Sequence, residues 1–246
     1  VVAPQCPPNG GWSSSDPTSP IRPEPATVND ILDSLAREFS IDTNRIYVTG
    51  FSMGGNGTWD IIMRFPERFA AAVPMSGGAN PAYAYKCADV PIWDFHGTVD
   101  QLEPVQYSRV MIDSLRALGR EVVYTHCHNL DCSGLPESMI DMEVRSHADL
   151  IYTEITNAGH TYGIWGTSSN YPFLPPWMFD KYKKRPGSIA LTNLKSYTTL
   201  SGNATINWGS PTGDSVEIWF SPDAGTSWQA VANAPNTGTF VWNSAL

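Results

Sequence analysis

Arg45-Ile46-Tyr47-Val48-Thr49-Gly50-Phe51-Ser52-Met53-Gly54-Gly55-Asn56-Gly57 runs from an apolar strand through Gly50-x-Ser52-x-Gly54 into a helix-like segment. This is the layout of a nucleophile elbow, in which a sharp strand-to-helix turn lifts a serine hydroxyl clear of a sheet. Glycines two residues to either side suit such a turn, because they remove the Cβ atoms expected to collide there. Ser52 is therefore the expected reactive centre. The helix that follows aims its positive end at negative charge developing beside that hydroxyl. The backbone N–H of Met53, first in the helix, is the expected oxyanion donor.

Working outward, Thr27 to Phe39 sets Val28, Ile31, Leu32, Leu35 and Phe39 on one helical face, with Thr27 as N-cap. Met53 to Phe65 reads as a helix ended by Pro66, and Ala70 to Met75 and Val90 to Phe95 read as strands. Pro104 to Leu118 turns Val105, Ile112, Leu115 and Leu118 toward a core, with Gly119 just past its end. Glu121 to Thr125 and Leu150 to Thr156 are strand-like, and the polar stretch 127–149 between them reads as an insertion. The alternation predicts an α/β fold: a doubly wound, mostly parallel sheet covered on both faces, binding ligands at the carboxyl ends of its strands.

Near Pro186-Gly187 the helical period stops, and Ala204-Ile206-Trp208, Val216-Ile218-Phe220 and Phe240-Trp242 alternate apolar with polar. A small all-β, sandwich-like module over 187–246 is expected, after a first domain over 1–186. Within the module, Ser221-x-Asp223-x-Gly225-x-x-Trp228 has the form of an Asp-box hairpin, a structural turn capped by the Asp side chain. At the other end, Val1-Val2-Ala3-Pro4-Gln5-Cys6-Pro7 reads as the middle of a strand with no initiator Met or export leader, so further strands are expected before residue 1.

Of 246 residues 41% are hydrophobic, enough for a packed core, and only 16% are charged with a formal net charge of -9. The one basic run, Lys181 to Arg185, suits the last turn of a helix, and nucleic-acid binding has no support. No stretch is long and apolar enough to span a bilayer. Four cysteines are too few for a disulfide scaffold, although one or two bridges are open to them. Low charge, nine tryptophans and a tail rich in Ser, Thr, Asn and Gly favour an exported protein, secreted or periplasmic.

A serine hydroxyl needs a base, and the base needs a carboxylate that holds its tautomer. In this architecture the chain order is Ser, acid, His, with acid and His in loops after later strands. Asp100 follows the strand Val90 to Phe95 in His96-Gly97-Thr98-Val99-Asp100, and His160 follows Leu150 to Thr156 in Asn157-Ala158-Gly159-His160. Asp100 also suits the cap of the helix beginning near Pro104. Asp94 and Glu103 are the rival acids, the first buried in a strand and the second farther past the turn. His96 reads as a hydrogen-bonded structural residue, and His126, His128 and His147 fall in or beside the insertion. His126-Cys127-His128 and Cys132 are soft-metal ligand types at a spacing that fits no zinc site, and a local Cys127–Cys132 disulfide is the preferred reading. Trp12, Trp59, Tyr162, Trp165 and Trp177 are available for an aromatic substrate wall, with core packing the plainer assignment for most.

Together, Val2-Ala3-Pro4-Gln5-Cys6-Pro7, the elbow, Phe65-Pro66-Glu67-Arg68-Phe69, Pro91-Ile92-Trp93-Asp94-Phe95-His96-Gly97-x-x-Asp100 and Ala158-Gly159-His160 resemble a known group over about residues 1 to 185. This is the α/β-hydrolases of the phospholipase/carboxylesterase and polyhydroxybutyrate-depolymerase-like esterases, feruloyl and acetyl xylan esterases included. The resemblance implies a serine esterase with nucleophile Ser52, acid Asp100 and base His160, no cofactor and no metal. It also implies an early His-Gly loop as second oxyanion donor, which this chain does not contain. Residues 187–246 resemble the immunoglobulin-like or fibronectin-like appendages of secreted bacterial enzymes. The expected substrate is a small-molecule or polysaccharide-linked ester. The same triad also serves peptidases and acyltransferases, and a vestigial hydrolase fold carrying a carbohydrate- or surface-binding module is the non-catalytic reading.

Overall fold

A computed structural model describes residues 1–14, 16–128, 148–164, 166, 173–183, 202–209, 215–220 and 229–243. The chain divides into two compact units, Val1–Lys183 and Lys184–Leu246. In the first, five strands form one sheet: β1 (Tyr47–Phe51), β2 (Ala71–Met75), β3 (Ile92–Gly97), β4 (Val123–His128) and β5 (Leu150–Thr156). Their order is β1-β2-β3-β5-β4 and every pair is parallel. All carboxyl ends therefore share one rim, as the strand–helix alternation predicts.

The side-chain period of two divides the sheet into two cores. On one face Ile92, Leu150 and Tyr152 join Trp59 and Ile62 of α2 (Met53–Arg64) and Met111, Ile112 and Leu115 of α3 (Gln106–Ala117). Val28 and Leu32 of α1 (Pro23–Glu38) pack on that same cluster. On the other face Val73, Met75, Trp93, Phe95, Ile151 and Ile155 meet Leu174 and Trp177 of α4 (Leu174–Asp180). The two clusters make this a three-layer α/β fold with a parallel central sheet covered on both faces.

Several local readings need correction. α1 starts four residues before the expected Thr27 cap, because Pro23 at the first helical position presets the backbone, and Thr27 instead donates its hydroxyl to the Pro23 carbonyl at 2.8 Å. Phe39 and Leu118, expected on core faces, sit at the ends of α1 and α3 and are exposed. The Val1 to Pro7 run forms no strand, consistent with Pro4 and Pro7 lacking the N–H a ladder needs. Lys181 lies just past α4 rather than in its last turn; it is buried, paired with Asp149 at 2.9 Å and set over the Trp177 ring. Gly119 behaves as expected: at φ 91° it closes α3 with Gly119 N–H to Arg116 O (2.9 Å) and Arg120 N–H to Leu115 O (3.2 Å), a Schellman motif.

In the second unit β6 (Asn203–Asn207) pairs antiparallel with β9 (Thr239–Asn243), and β7 (Ser215–Phe220) with β8 (Gln229–Pro235). Ile206, Trp208 and Val216 form its small core. This is a small antiparallel β module; the Asp-box segment 221–228 lies outside the described residues, as does most of the insertion 127–149.

Candidate active site

Ser52 joins the end of β1 to the start of α2 with φ 57° and ψ -119°, a strained conformation for a residue with a side chain. Gly50 is required there, because a Cβ on it would overlap the Gly54 carbonyl. Gly54 is not required for the expected reason, since a Cβ on it would meet nothing within 4 Å. The crowded position is one residue on: a Cβ at Gly55 would overlap the Met75 carbonyl at the end of β2. The elbow is thus wedged between its own strand and the next. Met53 opens α2, so its N–H has no intrahelical acceptor.

The loops after β3 and β5 are held together. Val99 N–H donates to Ala158 O (3.0 Å), Thr98 N–H to Ile155 O (3.0 Å), and Asn157 N–H to the Thr98 hydroxyl (2.9 Å). Gly97 allows this approach, because a Cβ on it would overlap the Ala158 carbonyl. As a result His160 Nδ1 stands 2.8 Å from Asp100 Oδ2, and His160 Nε2 stands 2.8 Å from Ser52 Oγ. A carboxylate oxygen only accepts, so the ring proton sits on Nδ1 and Nε2 is left to take the serine proton. Asp100 Oδ1 is occupied separately, accepting from Leu102 N–H (3.0 Å) and Glu103 N–H (2.9 Å). Asp100 therefore organises its own turn rather than capping α3, which begins at Gln106. The Asp100 side chain is fully buried and the His160 side chain is 15% exposed.

The other candidates fall into place around these three. His96 is fully buried, with Nδ1 2.8 Å from the Ser108 hydroxyl and Nε2 2.7 Å from the Glu103 carbonyl. Nε2 faces a carbonyl and so carries the proton, while Nδ1 accepts from Ser108. Burial, the dominant influence, lowers the His96 pKa; the ring is neutral, and its 3.7 Å approach to Asp100 Oδ2 is not an ion pair. Asp94 is buried in β3 with neither oxygen hydrogen-bonded within normal geometry, and burial pushes its pKa up to about 8 although the Ser108 hydroxyl and Phe95 N–H lie close enough to lower it somewhat. Glu103, the other rival acid, accepts from Asn56 Nδ2 at 3.1 Å and makes no bond to His160 among the described residues.

Trp59 and Trp177 are core residues. Trp12 packs on α2, its side chain filling the space a Cβ at Gly57 would need. Tyr162 is 85% exposed and its ring lies 5.4 Å from that of Phe51, which in turn lies 5.0 Å from the His160 ring. Phe51 is a site residue that the sequence reading misses, although its place inside the elbow motif puts it beside the nucleophile. Trp165, His147 and Cys132 lie outside the described residues. Cys127 is disulfide-bonded, while Cys6 and Cys87 are free. Among the described residues no three His, Cys, Asp or Glu side chains converge to hold a metal ion, and no helix is long and apolar enough to cross a membrane.

The parallel sheet, the elbow and the rim of loops define an α/β-hydrolase. The chain belongs to the phospholipase/carboxylesterase family, whose model matches residues 18–149. It is 39% identical over 79 residues to a bifunctional acetylxylan esterase/xylanase of Neocallimastix patriciarum, a match covering 30% of this chain and 11% of that protein. It is 37% identical over 65 residues to poly(3-hydroxyalkanoate) depolymerase C of Paucimonas lemoignei, covering 26% and 14% respectively. Among solved structures, a thermostable esterase superposes with a TM-score of 0.56 at 32% identity, covering 72% of this chain and 43% of that one. The chain thus spans a minor part of the length of each of these relatives.

Proposed function

We propose that this chain is the catalytic part of a serine carboxylic-ester hydrolase working through an acyl-enzyme. The unbroken line Ser52 Oγ, His160 Nε2, His160 Nδ1, Asp100 Oδ2, with both gaps at 2.8 Å, is the observation that carries the reading. Ser52 Oγ attacks the ester carbonyl as His160 Nε2 takes its proton, and Met53 N–H holds the oxyanion of the tetrahedral adduct. His160 then returns the proton to the leaving alcohol as the C–O bond breaks. Water, deprotonated by His160, releases the acid from Ser52. A carbohydrate-linked or small acyl ester is the substrate class we favour, because the acetylxylan esterase relative is named for such an ester. We further read residues 187–246 as an immunoglobulin- or fibronectin-like module that follows, along the chain, a catalytic domain over 1–186, in an exported protein.

The test is direct. Ser52→Ala in the full chain should reduce p-nitrophenyl acetate hydrolysis by about 10³-fold or more, and a variant keeping most of its turnover would end the proposal.

A further inference from the structure

Glu103 makes three different bonds with three different elements. Its N–H donates to Asp100 Oδ1 at 2.9 Å, its carbonyl accepts from His96 Nε2 at 2.7 Å, and its carboxylate accepts from Asn56 Nδ2 at 3.1 Å. Asn56 lies one turn into α2, four residues after Ser52. Its other end is spoken for, since Asn56 Oδ1 accepts the Gly78 N–H at 2.7 Å. Gly78 N–H can only donate, so the side-chain oxygen faces Gly78 and the NH₂ group faces Glu103. His96 is equally constrained, clamped between Ser108 of α3 and the Glu103 carbonyl with no exposed surface.

We propose that Glu103 is a positioning residue, joined by Asn56 to the nucleophile helix and by His96 to β3 and α3, and that this bracket keeps Asp100 in register with His160 and Ser52. The inference rests on the triad reading above. Its physical basis is that Asp100 sits on a turn after β3 and has no strand ladder of its own to fix it. The backbone ladders of the sheet carry β3 alongside the nucleophile strand, and Thr98 and Val99 tie the start of the turn to the loop after β5, but beyond Val99 the turn reaches the nucleophile by side chains through His160 and through this bracket. With it, a side-chain route from the Ser52 helix through Asn56 and Glu103 to Asp100 closes a ring around the proton relay. A displacement of about 1 Å in such a site is enough to cost roughly 100-fold in rate.

The pair Asn56 and Glu103 permits a swap. Asn56→Asp keeps the acceptor for Gly78 N–H but sets carboxylate against carboxylate, and is expected to lower kcat by about 10- to 100-fold with KM within about twofold. Glu103→Gln alone keeps an acceptor for Asn56 and should stay within about threefold of the parent. When Asn56→Asp and Glu103→Gln are combined, the amide introduced at position 103 donates to the carboxylate introduced at position 56, and kcat should return to within about fivefold of the parent. Glu103→Ala, at a half-buried position, should show the same kcat loss at constant KM, with its urea midpoint measured alongside to separate misplacement of Asp100 from unfolding. The proposal is overturned if Asn56→Asp and Glu103→Ala keep parental kcat, or if the double variant is no better than Asn56→Asp. It is separable from the triad reading: an inactive Ser52→Ala beside an undiminished Glu103→Ala removes the bracket alone, whereas an active Ser52→Ala removes the triad.

Discussion

At the scale of single residues, two carboxyl groups on or just after β3 have opposite surroundings. Asp100 receives two backbone N–H groups and an imidazole N–H, whereas Asp94 has no bond of normal geometry and is excluded from water. Burial therefore raises the folded pKa of Asp94 to about 8, well above that of an unfolded aspartate. The folded state binds that proton more tightly, so the contribution is fully present below about pH 4 and is lost as pH rises through about 8. Asp94→Asn should remove a slope of up to about 1.4 kcal/mol per pH unit across that window. Urea unfolding at about pH 5, 6.5 and 8 checks this: the stability of the variant relative to the parent should increase with pH, and a constant difference would show that Asp94 is not the source.

At the scale of elements, α2 carries more than the elbow. Arg64 in its last turn bonds Asp60 Oδ2 at 2.7 Å and also the Pro17, Ser19 and Asp16 carbonyls and the Ser14 hydroxyl, with side-chain exposures of 6% for Arg64 and 2% for Asp60. The cluster fastens the segment before α1 onto the helix that holds Ser52. Removing one partner leaves the other charge buried and unpaired. Asp60→Ala should therefore lower stability by about 3–5 kcal/mol, read as a fall in the urea midpoint at unchanged m-value. This contact is invisible in the sequence, because Arg64 and Ser19 are 45 residues apart and share no pattern. By contrast the ends of α2 and α3 are legible, since Pro66 and Gly119 act through local backbone geometry.

At the scale of the whole molecule, the proposed relay joins groups 60 and 108 residues apart along the chain, so its reactivity reports on the tertiary structure. Labelling of Ser52 by a fluorophosphonate should disappear in the same urea transition that exposes the buried Trp59 and Trp93. Labelling that survives beyond that transition would show that the serine is not activated by the assembled site. The alternation of strands and helices, the parallel sheet and the elbow at Ser52 are legible from the chain alone, because each is written in short-range periodicity and in glycines and prolines that act on their own neighbourhood. Asp100 and His160 could be nominated from the same source, as loop residues after strands. Folding alone settles which groups meet: that His96 faces Ser108 and Glu103, that Gly55 rather than Gly54 is crowded by the next strand, and that Asn56 reaches Glu103. Those pairings depend on which strands lie side by side and how closely their loops approach, and non-local packing leaves no periodic trace in the chain.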